Sequence, residues 1–133
     1  MQRRQEATSG RLTEIDEDEC WRLLSSAQIG RLAWNSASSP LIVPVNHRVV
    51  GRQVVLRVSP YSIQGREVDD ARVAFEVDEI DPVRRTGWSV LVQGHAAIDY
   101  RHDSGPAPEP WPHGQRPLQV IISPTCVTGR RVG

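Results

Sequence analysis

The most chemically suggestive residues are two arginines that flank a short apolar segment and two serines that follow it. Arg52 and Arg57 stand on either side of residues 53–56, and Ser59 and Ser62 come next. Guanidinium groups and hydroxyls beside the predicted start of a short helix are groups that bind phosphate. The spacing also fits two solvent-facing arginines on an exposed strand edge, and taken alone it favours that simpler interpretation. A phosphate site is therefore one of two hypotheses for this segment.

Aromatic residues provide a second candidate feature, because they could stack on a planar ligand ring. Trp88 lies in an alternating strand pattern, where a tryptophan is more often part of the core. Trp111 lies in a proline-rich segment and is the better candidate for a ligand contact. Tyr61 completes this aromatic set. The terminal residues 128–131 could reach a bound anion, or they could form a flexible basic tail.

Other kinds of catalytic and metal chemistry have little support. The four histidines have no metal-ligand spacing and accompany no nucleophile motif; they are His47, His95, His102 and His113. Cys20 and Cys126 lie far apart and are expected to be buried reduced thiols. All 16 basic residues are arginine, which excludes Schiff-base catalysis by a lysine. The sequence therefore assigns no catalytic residue and predicts no metal site.

Composition narrows the class of protein. The 133 residues are expected to form a disordered leader over residues 1–11 and a single domain over residues 12–133. The formal net charge of zero removes the electrostatic argument for binding nucleic acid or an anionic membrane. No apolar run approaches the roughly 20 residues that span a bilayer. The polar start of the chain contains no apolar signal core, so we expect a cytoplasmic protein.

A helix is predicted to begin after Asp16. Asp16 is the expected N-cap, and Glu19 stands three residues later as its capping-box partner. One apolar face follows at helical spacing, formed by Cys20, Leu23, Leu24 and Ala27. The acidic first turn suits the positive end of the helix dipole, so its carboxylates are assigned to the helix rather than to an active site.

Strand patterns dominate the rest of the chain. Predicted strands cover residues 30–34, 41–46, 73–78, 87–100, 118–123 and 127–132. Residues 49–58 contain a predicted Gly51–Arg52 turn followed by a strand pattern over residues 54–58. A short helix is expected between residues 59 and 70, and an irregular segment over 103–117. Pro44 indicates an edge position or a bulge in its strand. These elements predict a mostly β domain, a closed or nearly closed barrel of about six strands with one N-terminal helix and one short helix between strands.

Several segments in order resemble one protein family. They are Cys20-x-x-Leu23-Leu24, Gly30-Arg31-Leu32-Ala33, Pro44-Val45-Asn46, Arg57, residues 73–78, residues 87–94, Trp111-Pro112-x-Gly114 and Val127-Thr128-Gly129-Arg130. The ordered set resembles the pyridoxamine 5′-phosphate oxidase-like, FMN-binding split-barrel proteins, particularly their short actinobacterial members. The likeness extends over roughly residues 12–132.

The resemblance implies a homodimer of split barrels that binds FMN in two equivalent clefts at the interface. It implies that Arg57 holds the phosphate and that Arg52 lies toward the flavin ring. The adjoining phosphate loop is expected to contain Ser59 and Ser62. On the central strand Ser89 is expected to approach the ring, while Trp111 and Arg130 close the cleft from the C-terminal half.

Four positions in three segments depart from the family pattern. Val58 replaces a common threonine, and Tyr61-Ser62-Ile63 replaces a common glycine-serine-lysine. Gln119 occupies the place of a common tryptophan. Each lost charge-assisted hydrogen bond removes about 1.5–3 kcal/mol. Arg66, about one turn beyond the altered loop, is expected to compensate.

The leading functional hypothesis is a flavin-dependent oxidoreductase acting on a small organic substrate. In such enzymes the flavin performs the redox chemistry, so no protein acid or base is named. The second hypothesis is a non-catalytic protein that holds a flavin, a deazaflavin or haem. The third is a cofactor-free dimeric interaction module.

Overall fold

The computed structural model describes residues 11–100 and 117–133. These residues form seven strands and two helices: β1 Leu12–Ile15, α1 Glu17–Ser26, β2 Ile29–Asn35, β3 Pro40–Val50, β4 Gln53–Val58, α2 Ile63–Glu67, β5 Ala71–Asp81, β6 Thr86–Ile98 and β7 Leu118–Val132. The predicted mostly β fold, with one leading helix and one short helix between strands, is confirmed. Neither helix has the length and apolar character needed to cross a membrane.

Helix α1 begins where the capping pattern predicts. The backbone N–H of Glu19 donates a 2.9 Å hydrogen bond to Oδ1 of Asp16, the N-cap residue. Cys20, Leu23 and Leu24 are buried on the face that packs on the barrel. The acidic first turn is thus part of the helix end, as the sequence indicated.

Strands β2 to β7 close into a six-stranded antiparallel barrel. The strand order is β1-β7-β4-β3-β2-β5-β6, and an additional β7–β6 pairing closes the sheet. Strand β1 adds to the side of β7, where Leu12 pairs with Val132. The sequence pattern did not predict β1, because its four residues are too few to show a period.

Alternating residues of each strand fill the barrel. Leu32, Leu56 and Phe75 are fully buried members of the core. The residues between them point away from the core and form what we call the outer face. Exposed apolar side chains occur on this face, among them Ile29 and Ile42. Cys126 is exposed there opposite Gln93, so the prediction that it is buried was wrong.

Strand β7 is one element of 15 residues, although the sequence predicted two separate strands. Pro124 interrupts the apolar pattern, but it lies where the β6–β7 register shifts. A bulge accommodates a proline because the ladder is already broken there. At this point a Cβ on Gly94 would collide with the carbonyl oxygen of Ser123, so the two backbones require glycine.

Pro44 lies at a local edge, as predicted. Strand β3 pairs with β2 along residues 40–46, but its pairing with β4 covers only residues 46–50. Pro44 therefore has a strand neighbour on one side only. Proline has no backbone N–H to donate, and on the side where β4 does not pair with Pro44 no such donor is needed.

His47 is a buried histidine beneath α1. Its side chain is 8% exposed, and Nε2 lies 2.9 Å from the carbonyl oxygen of Leu24. The ring meets Phe75 edge-on, with centroids 4.9 Å apart. Because the Leu24 carbonyl can only accept, Nε2 carries the hydrogen. Burial lowers the pKa of His47, against the smaller opposing effects of its backbone hydrogen bonds.

Acidification is therefore expected to destabilise the fold through His47. The unfolded chain binds a proton near the ordinary histidine pKa of about 6.5, whereas the folded chain resists protonation until lower pH. Stability is then lost as the pH falls below about 6.5, by at most about 1.4 kcal/mol per pH unit for one proton. Urea unfolding at pH 7.5 and 5.5 measures this loss. The variant His47→Gln keeps a donor for the Leu24 carbonyl, and its free energy of unfolding should fall less between the two pH values than that of the wild type. An equal or greater fall would contradict the role assigned to His47.

Candidate functional site

Arg57 and Ser59 lie together at the C-terminal end of β4. They are two positions apart, so in extended chain they point to the same outer face. Arg57 is partly buried, with Asn46 opposite it on β3 and Gln119 opposite it on β7. A guanidinium group beside a hydroxyl at the end of a strand can bind the oxygens of a phosphate.

The loop after β4 is organised by its serines. The hydroxyl of Ser62 donates to the Ser59 carbonyl at 2.6 Å, and its oxygen accepts from the N–H of Gly65 at 3.0 Å. Ser59 Oγ accepts a 3.1 Å hydrogen bond from the N–H of Tyr61. A serine has one hydroxyl hydrogen. The hydrogen of Ser62 is therefore engaged in shaping the loop, whereas that of Ser59 has no acceptor among the described residues.

Arg52 lies at the opposite end of β4. It is five residues before Arg57, a distance of about 17 Å along an extended strand. Its guanidinium group donates to Asp18 at 2.7 Å and lies 5.5 Å from the centre of the Trp21 ring. Arg52 therefore contacts helix α1 and does not lie with Arg57 and Ser59.

Ser89 and Arg130 are brought together in a second place. They are direct partners in the β6–β7 register. Both line an apolar groove of about 400 Å³, whose walls include Leu12, Ile80 and Trp88. An apolar groove with a polar pair at its side suits a planar aromatic ligand. Arg130 and Gln119 stand eleven positions apart on β7, at most about 36 Å along the strand.

The sequence profile of the pyridoxamine 5′-phosphate oxidase family matches residues 16–104 of the chain. An uncharacterized protein of Mycobacterium tuberculosis, Rv0080, is 39% identical over 134 residues, covering 91% of this chain and 86% of the relative. The chain belongs to this family. The resemblance inferred from the ordered motifs is confirmed.

Two solved structures of similar proteins extend the match to the whole fold. The FAD binding protein from Mycobacterium smegmatis is 28% identical, with a TM-score of 0.76 over 92% of this chain and 100% of its own. A conserved protein of unknown function from Corynebacterium diphtheriae is 27% identical, with a TM-score of 0.74 over 92% and 98% of the two chains.

The remaining residues that the family resemblance implied are placed as follows. Arg66 is exposed on α2, the helix that begins after Ser62. Trp111 falls outside the described residues, as do His102 and His113. No cluster of metal-binding side chains is present in residues 11–100 and 117–133.

A charged network on the outer face was not predicted from the sequence. Arg31 on β2 donates to Glu76 at 2.8 Å and lies 3.4 Å from Asp78, both on β5. Burial, together with the neighbouring Asp78, raises the pKa of Glu76, while Arg31 opposes the shift. Asp78 is in turn the cross-strand partner of Ser89. The alternation of residues 73–78 placed the carboxylates outward, but nothing in the sequence indicated their cross-strand partner.

Sequence reasoning also assigned no role to Gln119 beyond its departure from the family pattern. Its side chain is buried on the outer face, and Oε1 has no hydrogen-bond partner among the described residues. A glutamine in an otherwise apolar strand segment was the only available signal. Its significance depends on Arg57 standing opposite, which the sequence could not show.

The two serines are expected to respond differently to alanine. Ser62→Ala removes the helix cap and the loop bond, and should lower the free energy of unfolding by about 1 kcal/mol. Ser59→Ala removes one exposed local bond and should cost less than about 0.5 kcal/mol. Chemical denaturation of the wild type and both variants measures the difference. Equal losses, or a larger loss for Ser59→Ala, would show that the loop is held in another way.

Proposed function

We propose that the protein binds a flavin nucleotide, FMN or FAD, with the phosphate next to the riboflavin unit held by Arg57 and Ser59. The observation that carries the proposal is their placement on one face at the end of β4. A guanidinium group supplies charge and a two-pronged set of donors, and the hydroxyl hydrogen of Ser59 has no acceptor in residues 11–100 and 117–133. These groups fit an anion.

Family membership supports a flavin as the ligand. The similar structure from Mycobacterium smegmatis is that of a FAD binding protein, 28% identical to this chain. FMN and FAD share riboflavin 5′-phosphate, so one phosphate clamp could serve either. The groove beside Ser89 and Arg130 has the apolar walls that a flavin ring requires.

We further propose that the site is completed by a second copy of the chain. Within one copy, the Arg57 group and the Ser89–Arg130 groove occupy separate regions of the barrel. In a symmetric dimer, Arg57 of one copy can face the groove of the other, which gives two equivalent clefts. The exposed apolar residues of the outer face, including Ile29, Ile42 and Leu91, would then be covered.

The reaction proposed is flavin-dependent oxidation or reduction of a small organic substrate. A bound flavin supplies the electron transfer, and the chain supplies binding, orientation and exclusion of water. Arg57 and Ser59 would anchor the phosphate, and Ser89 and Arg130 would border the ring. No residue of the chain is assigned as an acid or base.

Replacing Arg57 should weaken FMN binding far more than riboflavin binding. Loss of one charge-assisted contact costs about 1.5–3 kcal/mol, so Arg57→Met should raise the Kd for FMN about 10- to 150-fold. Riboflavin has no phosphate and should bind both proteins alike. Fluorescence titration of the apoprotein measures both affinities, and Ser59→Ala should give a smaller loss of the same kind.

The matched control is Arg22→Met, which removes an exposed arginine paired with Glu19 on α1. It should leave both affinities unchanged. Failure of the wild type to bind either nucleotide would refute the proposal, and unchanged FMN binding by Arg57→Met would refute the site. If flavin binds but NAD(P)H and an electron acceptor produce no turnover, the protein is a flavin carrier or sensor instead of an oxidoreductase.

A further inference from the structure

Gln119 has a buried polar atom that the protein itself does not satisfy. The residue is 7% exposed, and its Oε1 has no hydrogen-bond partner among the described residues. Its backbone carbonyl is satisfied, because it accepts a 2.9 Å hydrogen bond from the N–H of Asp99. Leaving a buried acceptor unpaired costs about as much as one or two ordinary hydrogen bonds gain. Such an atom requires a donor from outside the described residues.

The position of Gln119 adjoins the proposed phosphate clamp. It faces Arg57 directly across the β4–β7 ladder, where paired Cβ atoms stand about 4.5–5.5 Å apart. The two neighbours of Gln119 in β7 are Leu118 and Val120, and Val120 lies in the barrel core. Gln119 therefore belongs to the outer face, on the same side as Arg57 and Asn46.

An amide oxygen cannot serve the phosphate itself. Both are hydrogen-bond acceptors, so they repel, whereas the carbonyl oxygen of a carboxamide binds hydroxyl and N–H donors. In a flavin nucleotide the groups next to the phosphate are the hydroxyls of the ribityl chain. A ligand whose phosphate lay at Arg57 would therefore bring hydroxyl donors close to Gln119, its cross-strand partner.

We propose that Gln119 is a ligand-contacting residue whose Oε1 accepts a hydrogen bond from a ribityl hydroxyl. This inference rests on the proposed flavin function and adds a specificity-determining residue to it. Gln119 favours a phosphate ester joined to a polyol chain, because the polyol places hydroxyl donors beside the phosphate. A second unpaired buried atom in the described part of the chain, Nδ1 of His47, lies on the core side of the sheet next to Phe75.

The test is Gln119→Met, which keeps the length of the side chain and removes its polar atoms. Apoprotein stability should rise, with a melting temperature about 3–5 °C higher, because an unsatisfied buried acceptor is gone. Affinities for FMN and for riboflavin should both fall about three- to tenfold, since both ligands carry the ribityl hydroxyls. Gln93→Met makes the same change at an exposed glutamine of β6 and should alter neither property by a comparable amount.

The outcomes separate this inference from the proposed function. If the wild type binds neither nucleotide, the flavin function fails and this inference fails with it. If the wild type binds flavin and Gln119→Met binds it equally well, only this inference is wrong. A loss confined to FMN would place Gln119 at the phosphate and overturn the ribityl contact. If Gln119→Met folds poorly, Gln119→Leu repeats the comparison. Lower apoprotein stability in both variants would mean that Oε1 of Gln119 already has a hydrogen-bond partner in the apoprotein, which would overturn this inference.

Discussion

The structure depends on the pairing of β7 with strands on both of its sides. Its 15 residues pair with β6 along most of their length, while β4 and β1 share the other edge of the strand. This pairing closes the barrel, and it requires the close backbone approach at Gly94. The same pairing sets Gln119 opposite Arg57 and Arg130 opposite Ser89. The closure of the core and the placement of both candidate binding groups thus have one physical origin.

The inner and outer sides of the barrel differ in composition and in function: the inner side forms the core, and the outer side carries the candidate binding groups. The inner side is filled mostly with aliphatic residues together with Phe75, and His47 is a buried polar exception that links β3 to α1 through its contact with the Leu24 carbonyl. The outer side carries the charged network of Arg31, Glu76 and Asp78 together with exposed apolar residues. Because a strand alternates its side chains, alternate residues of the same strands can form a stable core and a separate functional surface.

Local features could be predicted from the sequence because their causes lie within a few residues. The Asp16 cap, the local edge at Pro44 and the short helix after Ser62 all follow from short-range rules. The joining of two predicted strands into β7 could not be foreseen, because Pro124 ordinarily ends a strand and only the register shift opposite it accommodates the ring. The rule that a proline ends a strand considers the local sequence only, and not the pairing with the partner strand.

The candidate site, too, contains contacts that the sequence could not predict. Arg57 and Ser59 were candidates from residue type and spacing, Ser89 came from the family resemblance, and the roles of all three remain predictions. The ion pair between Arg52 and Asp18 joins residues far apart in sequence, so spacing could not reveal it. The orphaned oxygen of Gln119 likewise follows from cross-strand register and burial, which are properties of the folded chain.

In the proposed dimer, Arg57 of one copy and Arg130 of another complete one flavin site. Refolding an equal mixture of Arg57→Ala and Arg130→Ala chains tests it, because random pairing makes half of the dimers mixed. Each mixed dimer holds one intact site, so the mixture should recover about one quarter of the wild-type number of tight FMN sites. Neither variant alone should bind tightly. A mixture that binds no better than its two parents would contradict the shared site.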